Sequence, residues 1–89
     1  MPVLVTAEVP GQTPEGFKRI LNAVEPAMRQ SKGFIAVGSG VTPEGCHCFE
    51  IWETSEDATR FFATHIHPNL PAEIRPKRSI LELHSFLKA

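Results

Sequence analysis

CHCFEIWETSEDATRFF, residues 46–62, decides the fold, because it predicts a strand that runs directly into a helix. Phe49–Trp52 consists mainly of residues that favour β-strands and ends at the only tryptophan of the chain. Thr54 or Ser55 can cap the helix that follows. Three apolar residues then have the i, i+3, i+4 spacing of one buried helical stripe: Ala58, Phe61 and Phe62. Of the two adjacent phenylalanines, we expect one to face the sheet and the other its edge.

The composition is that of one small folded domain covering residues 1–89, with 42% hydrophobic residues and a formal charge of -1. The near-neutral charge argues against a nucleic-acid partner, and we interpret the one basic cluster, Arg75, Lys77 and Arg78, as a solvated loop. The sequence has no apolar run long enough to cross a membrane, and no signal-peptide pattern follows Met1. We therefore expect a cytoplasmic protein without a membrane partner.

The cysteines and histidines do not predict a metal site. Cys46 and Cys48 lie two apart on one strand, roughly 7 Å from each other, too far for an unstrained disulfide. His47 points away from both of them, so these three side chains cannot converge on one ion. His65 and His67 form a possible metal-binding pair only if further ligands come from elsewhere. We expect reduced thiols, no metal and no resident cofactor.

The first two elements follow from strong local patterns. Val3–Val9 has high β-propensity and predicts the first strand. Thr13 is suited to cap a helix that has Pro14 at its first position. We expect this helix to kink or break near Pro26 and to have Gly33 as its C-cap.

Two more strands complete the pattern. Phe34–Val41 predicts the second strand, and the turn at residues 42–45 makes it a hairpin with the strand of the opening stretch. Prolines interrupt residues 66–78, which predicts a loop with one helical turn around Pro71–Arg75. Ser79–Leu87 alternates and predicts the fourth strand.

The element order β-α-β-β-α-β predicts an α+β, ferredoxin-like fold, a four-stranded antiparallel sheet in the order 4-1-3-2 with both helices on one face. Strand alternation separates two sets of side chains. We expect the aliphatic set under the helices: Ile35, Val37, Phe49, Ile51, Leu81 and Leu83. The mixed set is expected on the open face: Leu4, Thr6, Glu50, Trp52, Ile80, Glu82, His84 and Phe86. Because that set exposes much apolar surface, we expect a homodimer through the sheet face.

The chain resembles the antibiotic biosynthesis monooxygenase (ABM) type of domain in the dimeric α/β-barrel superfamily. The resemblance extends over nearly all 89 residues in element order. Its most specific parts are Gly33-Phe34-Ile35, Glu50-Ile51-Trp52-Glu53, Ser55 through Phe62, and Leu83-His84-Ser85.

Members of this family include cofactor-independent oxygenases of polycyclic aromatic phenols or quinols, quinol monooxygenases and haem-degrading enzymes. The resemblance implies a pocket in each subunit, between sheet and helices or at the barrel mouth, and carries Trp52 over as a family position. Cys48 stands where the polyketide oxygenases often have an asparagine. The haem-degrading members have an asparagine on the first strand, where this chain offers Thr6 and Glu8, and a histidine that lies earlier than His65.

The candidate site residues follow from the open-face set and the second helix. The candidates for catalysis are His84 as a base, Trp52 and His65, and those for ligand binding are Thr6, Glu50, Phe62, Glu82 and Phe86. Trp52 can stack on a flat ligand or fill the core between subunits. His84, Glu82 and Glu50 can form a proton-transfer site or a polar cluster satisfied within the dimer interface.

The leading functional hypothesis is a cofactor-independent monooxygenase that acts on a small aromatic phenol or quinol. One alternative is a non-catalytic protein on the same dimeric scaffold that binds a small ligand or serves an accessory role. Another is an interaction module defined by self-association. The sequence itself names no substrate.

Overall fold

The computed structural model of the chain describes residues 2–87. Its elements, in chain order, are β1 Val3–Pro10, α1 Pro14–Gln30, β2 Phe34–Thr42, β3 Gly45–Trp52, α2 Ser55–Phe61 and β4 Lys77–Glu82. A π-helical turn, Phe62–Ile66, and a 3₁₀ turn, His67–Asn69, continue α2. None of the helices in residues 2–87 is long and apolar enough to cross a membrane.

The four strands form one antiparallel sheet in the order β2-β3-β1-β4. The predicted ferredoxin-like fold and its strand order are therefore confirmed. The two hydrophobic central strands, β1 and β3, pair along their whole lengths, from Val3 opposite Trp52 to Pro10 opposite Gly45.

Helix α1 begins at the predicted cap, where the Thr13 hydroxyl accepts a hydrogen bond from the Gly16 amide at 3.0 Å. It continues without interruption past Pro26, so the expected break is absent. Its C-cap is Ser31, whose amide donates to the Met28 carbonyl, and the prediction of Gly33 as the cap is wrong. Gly33 instead has a φ of 86°, because the chain turns sharply there to enter β2.

Helix α2 is capped by Thr54, whose hydroxyl accepts a hydrogen bond from the Asp57 amide at 3.1 Å. Phe61 is buried in the core, and Phe62 is half-buried against Arg78 of the edge strand β4. The prediction that one phenylalanine faces the sheet and the other its edge is confirmed.

The helices cover the sheet face opposite to the predicted one. Cross-strand register places Val3 beside Trp52 and Glu82, and Val5 beside Glu50 and Ile80. These residues share the face on which the core lies, formed by Val3, Val5, Val24, Met28, Trp52, Ala58 and Phe61. The prediction that Glu50, Trp52, Ile80 and Glu82 lie on the open face is wrong, whereas Leu4 and Thr6 of the same set do lie there. The face of β1 that carries its valines packs under the helices. Glu50 and Trp52 lie on the same face, because they pair with Val5 and Val3.

Strand β2 contains an irregularity that alternation did not predict. Phe34 pairs with Trp52 and Ala36 pairs with Ile51, so Ile35 is an extra residue at a bulge. Phe34 and Val37 consequently both pack against the core, although strict alternation placed them on opposite faces.

The open face still carries apolar side chains, and apart from Leu4 those of the central strands and β4 belong to the aliphatic set. Leu4 lies between Ile51 and Leu81, and Thr6 lies between Phe49 and Ser79. The most exposed of the large apolar side chains on this face are Phe49, at 41%, and Leu81, at 59%. We refer to Leu4, Phe49, Ile51 and Leu81 as the open-face patch.

Strand β4 is displaced toward the N-terminus relative to its prediction. It begins at Lys77 and ends at Glu82, and only one further backbone bond follows, from the Leu83 amide to the Pro2 carbonyl at 2.9 Å. The last residue of β4, Glu82, pairs with Val3, the first residue of β1. Residues 83–87 therefore lie outside the strand that the sequence predicted there.

Candidate functional site

A cavity of about 60 Å³ lies between the covered sheet face, α1 and the segment that follows α2. The apolar residues that line it are Ala7, Val9, Phe17, Ile20, Leu21, Val24, Met28, Val37, Phe62, Ile66, Leu70 and Pro76. Gln12, Cys48, Glu50 and Arg78 supply the polar groups. A mainly apolar enclosure with a few polar side chains is the usual composition of a small-molecule site.

The register of the sheet explains where the cavity lies. Ala7 of β1 pairs with Cys48 of β3 and with Arg78 of β4, in one row across the covered face. The neighbouring position of β1 on that face, Val5, pairs with Glu50. Because Ala7 is smaller than the valines around it, it leaves space above the sheet that longer side chains from both flanking strands can enter.

Glu50 is the centre of the polar wall. The Trp52 indole Nε1–H donates a hydrogen bond to Glu50 Oε1 at 2.8 Å, and Arg78 Nη1 lies 3.7 Å from Glu50 Oε2. The side chains of Glu50 and Arg78 are only 10% and 18% exposed. A carboxylate this buried requires such partners, since desolvation of an unpaired charge is costly.

Arg78 also contacts the other wall of the cavity. Its guanidinium carbon lies 4.0 Å from the centroid of the Phe62 ring, a cation–π geometry. The interpretation of Arg78 as part of a solvated loop is therefore wrong. A predicted fourth strand that began two residues earlier, at Lys77, would have identified Arg78. Alternation then places Arg78 with Ile80 and Glu82 on the same side of the sheet as Glu50.

Cys48 lies beside this pair as a neutral group. The pKa of its thiol is raised from 9.0 to about 11, mainly by burial and in part by the Glu50 carboxylate, while the Arg78 charge acts in the opposite direction. The Sγ–H group points to the Ala7 carbonyl at 3.8 Å. At neutral pH the thiol is protonated, which makes Cys48 a poor nucleophile and a weakly polar part of the cavity wall.

Trp52 is fixed beneath the helices. It is 0% exposed, and its ring packs against Phe34 at 5.5 Å and Phe61 at 5.3 Å between centroids. The alternative in which it fills the core between subunits is wrong, because it lies on the covered face. Its connection to the cavity is the hydrogen bond to Glu50, so it orients that carboxylate.

The structure brings together three of the eight candidates, Glu50, Trp52 and Phe62. Thr6 lies on the open face, as predicted, beside Phe49 and Ser79, so it is on the opposite side of the sheet from Glu50 and Trp52. It was predicted to share a face with Glu50 and Trp52, which cross-strand register places on the covered face.

The other four candidates lie away from this cavity. His65 packs on Phe61 at 4.7 Å between ring centroids and lines a separate surface depression with Asp57 and Arg60. Glu82 is exposed at the end of β4. His84 and Phe86 follow that end and are also exposed, so the prediction of both within the fourth strand is wrong.

Among the side chains of residues 2–87, no group of three or more histidine, cysteine, aspartate or glutamate residues has the arrangement of a metal site. Cys46 and Cys48 are both free thiols, as expected from their spacing.

The fold has clear relatives among solved structures. SnoaB, a cofactor-independent oxygenase from Streptomyces nogalater, has a TM-score of 0.67 at 10% identity, over 99% of this chain and 98% of SnoaB. A candidate monooxygenase from Shewanella loihica PV-4 has a TM-score of 0.64 at 11% identity, over 96% of both chains. The chain has an ABM-like fold.

A candidate antibiotic biosynthesis monooxygenase from Bacillus cereus agrees with this, with a TM-score of 0.52 at 14% identity over 99% of this chain and 95% of its own. The sequence matches no family model and no curated protein. At such low identities the ABM-like likeness concerns the fold, and the chemistry has to be argued from the side chains of the site.

Proposed function

We propose that residues 1–89 form one cofactor-independent monooxygenase domain, which oxygenates a small aromatic phenol or quinol whose hydroxyl group enters the cavity beside Glu50. The observation that carries this proposal is the buried pair of Glu50 and Arg78 in the wall of an otherwise apolar cavity. The ABM-like fold, which this chain shares with the cofactor-independent oxygenase SnoaB, supports the same reaction class.

The pair supplies the two polar functions that such chemistry needs. A phenol hydroxyl beside Glu50 has a carboxylate to accept its proton, and the phenolate formed has the Arg78 guanidinium as its counterion. Trp52 holds the Glu50 carboxylate in one orientation through its indole N–H. The apolar wall keeps water from the electron-rich anion.

The substrate itself is the reductant. The phenolate gives an electron to O₂, and the two radicals then combine at an activated ring carbon that bears two hydrogens in the keto form. One oxygen atom stays on that carbon as a carbonyl, and the other leaves as water with both hydrogens. Atoms and electrons balance without an external reductant or a metal.

We further propose that the domain works as a cytoplasmic homodimer joined through the open-face patch. Support comes from the exposed Phe49 and Leu81, since an apolar sheet face of this kind is commonly covered by a second copy.

Oxygen uptake with a panel of reduced naphthoquinols and anthrone-type phenols tests the activity. We expect wild-type protein to consume oxygen, and Glu50→Gln and Arg78→Met to lower the rate roughly 100-fold or more. Lys77→Met is the matched control, because Lys77 is adjacent, exposed and absent from the cavity wall. Absence of uptake with every substrate by folded wild-type protein contradicts the proposal.

A non-catalytic ligand-binding role is the second candidate. One observation favours it: His84 and His65, the two histidines predicted as candidates for catalysis, both lie outside the cavity. Saturable binding of the same phenols without oxygen uptake identifies this role, and the same Glu50 and Arg78 variants then weaken binding.

A further inference from the structure

A second, larger cleft adjoins the cavity on the side of the segment that follows α2. It has a volume of about 630 Å³ and is lined by Phe62, His67, Leu70, Pro71, Ala72, Ile74, Arg75, Pro76 and Arg78. We call it the outer cleft. Four of these residues also line the cavity: Phe62, Leu70, Pro76 and Arg78. The two spaces therefore share one wall.

The stacked pair of Phe62 and Arg78 is the central part of that shared wall. The guanidinium lies 4.0 Å from the ring centroid, so the two groups form one flat partition. Phe62 is only half-buried, and Arg78 contacts its partner Glu50 at 3.7 Å, longer than a good charge-assisted hydrogen bond. The guanidinium therefore retains donor capacity for a ligand group on the outer side.

The charge of the outer cleft has one sign. Its ionisable lining residues are Arg75, Arg78 and His67, and none of the lining residues is acidic. The whole chain has a formal charge of -1, so this is a local concentration of positive groups and not a property of the entire surface. The other lining residues are apolar: Phe62, Leu70, Pro71, Ala72, Ile74 and Pro76.

We propose that the outer cleft binds an anionic aromatic ligand, with its acidic group at Arg75 and Arg78 and its ring against Phe62, in the wall shared with the cavity. Arg75 and Arg78 supply the donors for the anion, and Phe62 with the neighbouring prolines supplies the surface for the ring. A cleft of this volume is within the range that accommodates such molecules, whereas the cavity alone holds on the order of four water molecules. This proposal extends the proposed function. It rests on that function only for the oxygenation of the ring, and not for the binding of the anion.

The inference is tested with a matched pair of ligands, 2-naphthoate and the neutral 2-naphthalenemethanol. Calorimetric titration of the wild-type protein is expected to give at least a roughly tenfold tighter Kd for the carboxylate. Arg75→Gln should reduce that preference to within about twofold. Lys77→Gln is the control, since Lys77 is exposed and lines a different depression beside Glu8 and His47; it should retain the wild-type preference. The melting temperature of each variant shows that it is folded.

Three results overturn the inference: equal affinity for the two ligands, an unchanged preference in Arg75→Gln, or no binding of either ligand. Titration with 2-naphthyl phosphate determines whether the cleft takes anions in general or carboxylates in particular. Failure of the oxygenase proposal is separable from failure here. Preference for the anion without oxygen uptake supports anion binding in the outer cleft and contradicts the oxygenase proposal. Oxygenation of neutral phenols without any anion preference supports the oxygenase proposal and contradicts anion binding in the outer cleft.

Discussion

The two faces of the sheet use the same strands in opposite ways. On the covered face, β1 and β3 contribute Val3, Val5, Glu50 and Trp52, all of them buried. Alternate positions of the same strands, together with Leu81 of β4, form the open-face patch, in which Phe49 remains 41% exposed. The face with the more hydrophobic β3 residues is thus the one without helices. The burial of Glu50 on the covered face instead depends on pairing, because Trp52 and Arg78 both contact its carboxylate.

This difference shows that a charged residue does not identify the solvent-facing side of a strand. Glu50 is buried together with its partners, and the apolar residues of the open face have no intramolecular cover. We expect changes on the covered face to act mainly on stability and on the site. Changes on the open face should act mainly on assembly.

The largest effect is expected for Phe61→Ala on the covered side. Phe61 is 3% exposed and packs on Trp52, so truncation should leave a cavity and lower the free energy of unfolding by about 3–5 kcal/mol. Urea titration measures the loss. Phe62→Ala, at a half-buried position, should lose less than half as much; equal losses would show that the packing of α2 is not as described.

Gly33→Ala is expected to cost about 1–3 kcal/mol, because Gly33 has a φ of 86° and its added methyl group would meet the side chain of buried Asp57. Gly40→Ala is the control, since it has no positive φ and its methyl group would meet no atom within 4 Å. Thermal melts of both variants measure the difference. Equal melting temperatures would mean that the turn into β2 is not constrained by α2.

The open-face patch is tested by Leu81→Lys, which places a charge on a side chain that is 59% exposed. Light scattering should give twice 9.8 kDa for the wild-type protein and a dimer Kd raised at least roughly tenfold, about 1.4 kcal/mol, for the variant. Ala23→Lys, on the exposed side of α1, should remain a dimer. A wild-type monomer at micromolar concentration would remove the assembly proposed for this face.

The smallest expected effect is the pH dependence of stability that Cys48 on the covered face contributes. The pKa of Cys48 rises from 9.0 to about 11 on folding, so between these values the unfolded chain loses the thiol proton while the native chain keeps it. The resulting stabilisation is complete below pH 9 and is lost as the pH rises toward 11. At pH 10 the loss should be about 1 kcal/mol or less, given partial exposure. Urea titrations at pH 8 and pH 10 should show a smaller loss for Cys48→Ser; identical losses would place the thiol in solvent.

The fold could be predicted from the sequence because its determinants are local. The cap at Thr13, the cap at Thr54 and the β-rich segments fix the elements, and their order leaves few topologies. The covered face could not be predicted, because it depends on cross-strand register and on the bulge at Ile35. The predicted end of β4 lies too far along the chain. The strand ends at Glu82, which pairs with Val3, the first residue of β1.

The site was only partly predictable for the same reason. Alternation correctly placed Glu50 and Trp52 together, and the helical stripe identified Phe62. Arg78 was missed because it follows Pro76, where the chain was interpreted as a loop. His84 and His65 were selected for their chemistry, but long-range packing decides which titratable side chains reach the cavity.

The most direct test of the account is a nitrogen–proton NMR titration with 2-naphthol, using the indole N–H of the only tryptophan as the probe. If the ligand binds in the cavity, the Trp52 indole resonance shifts saturably, because the N–H donates to the Glu50 carboxylate that contacts the ligand. The backbone amide resonances of Phe49 and Leu81 on the open face are then expected not to shift. Saturable shifts of Phe49 and Leu81 with an unmoved indole resonance would contradict the account and place the binding site on the open face.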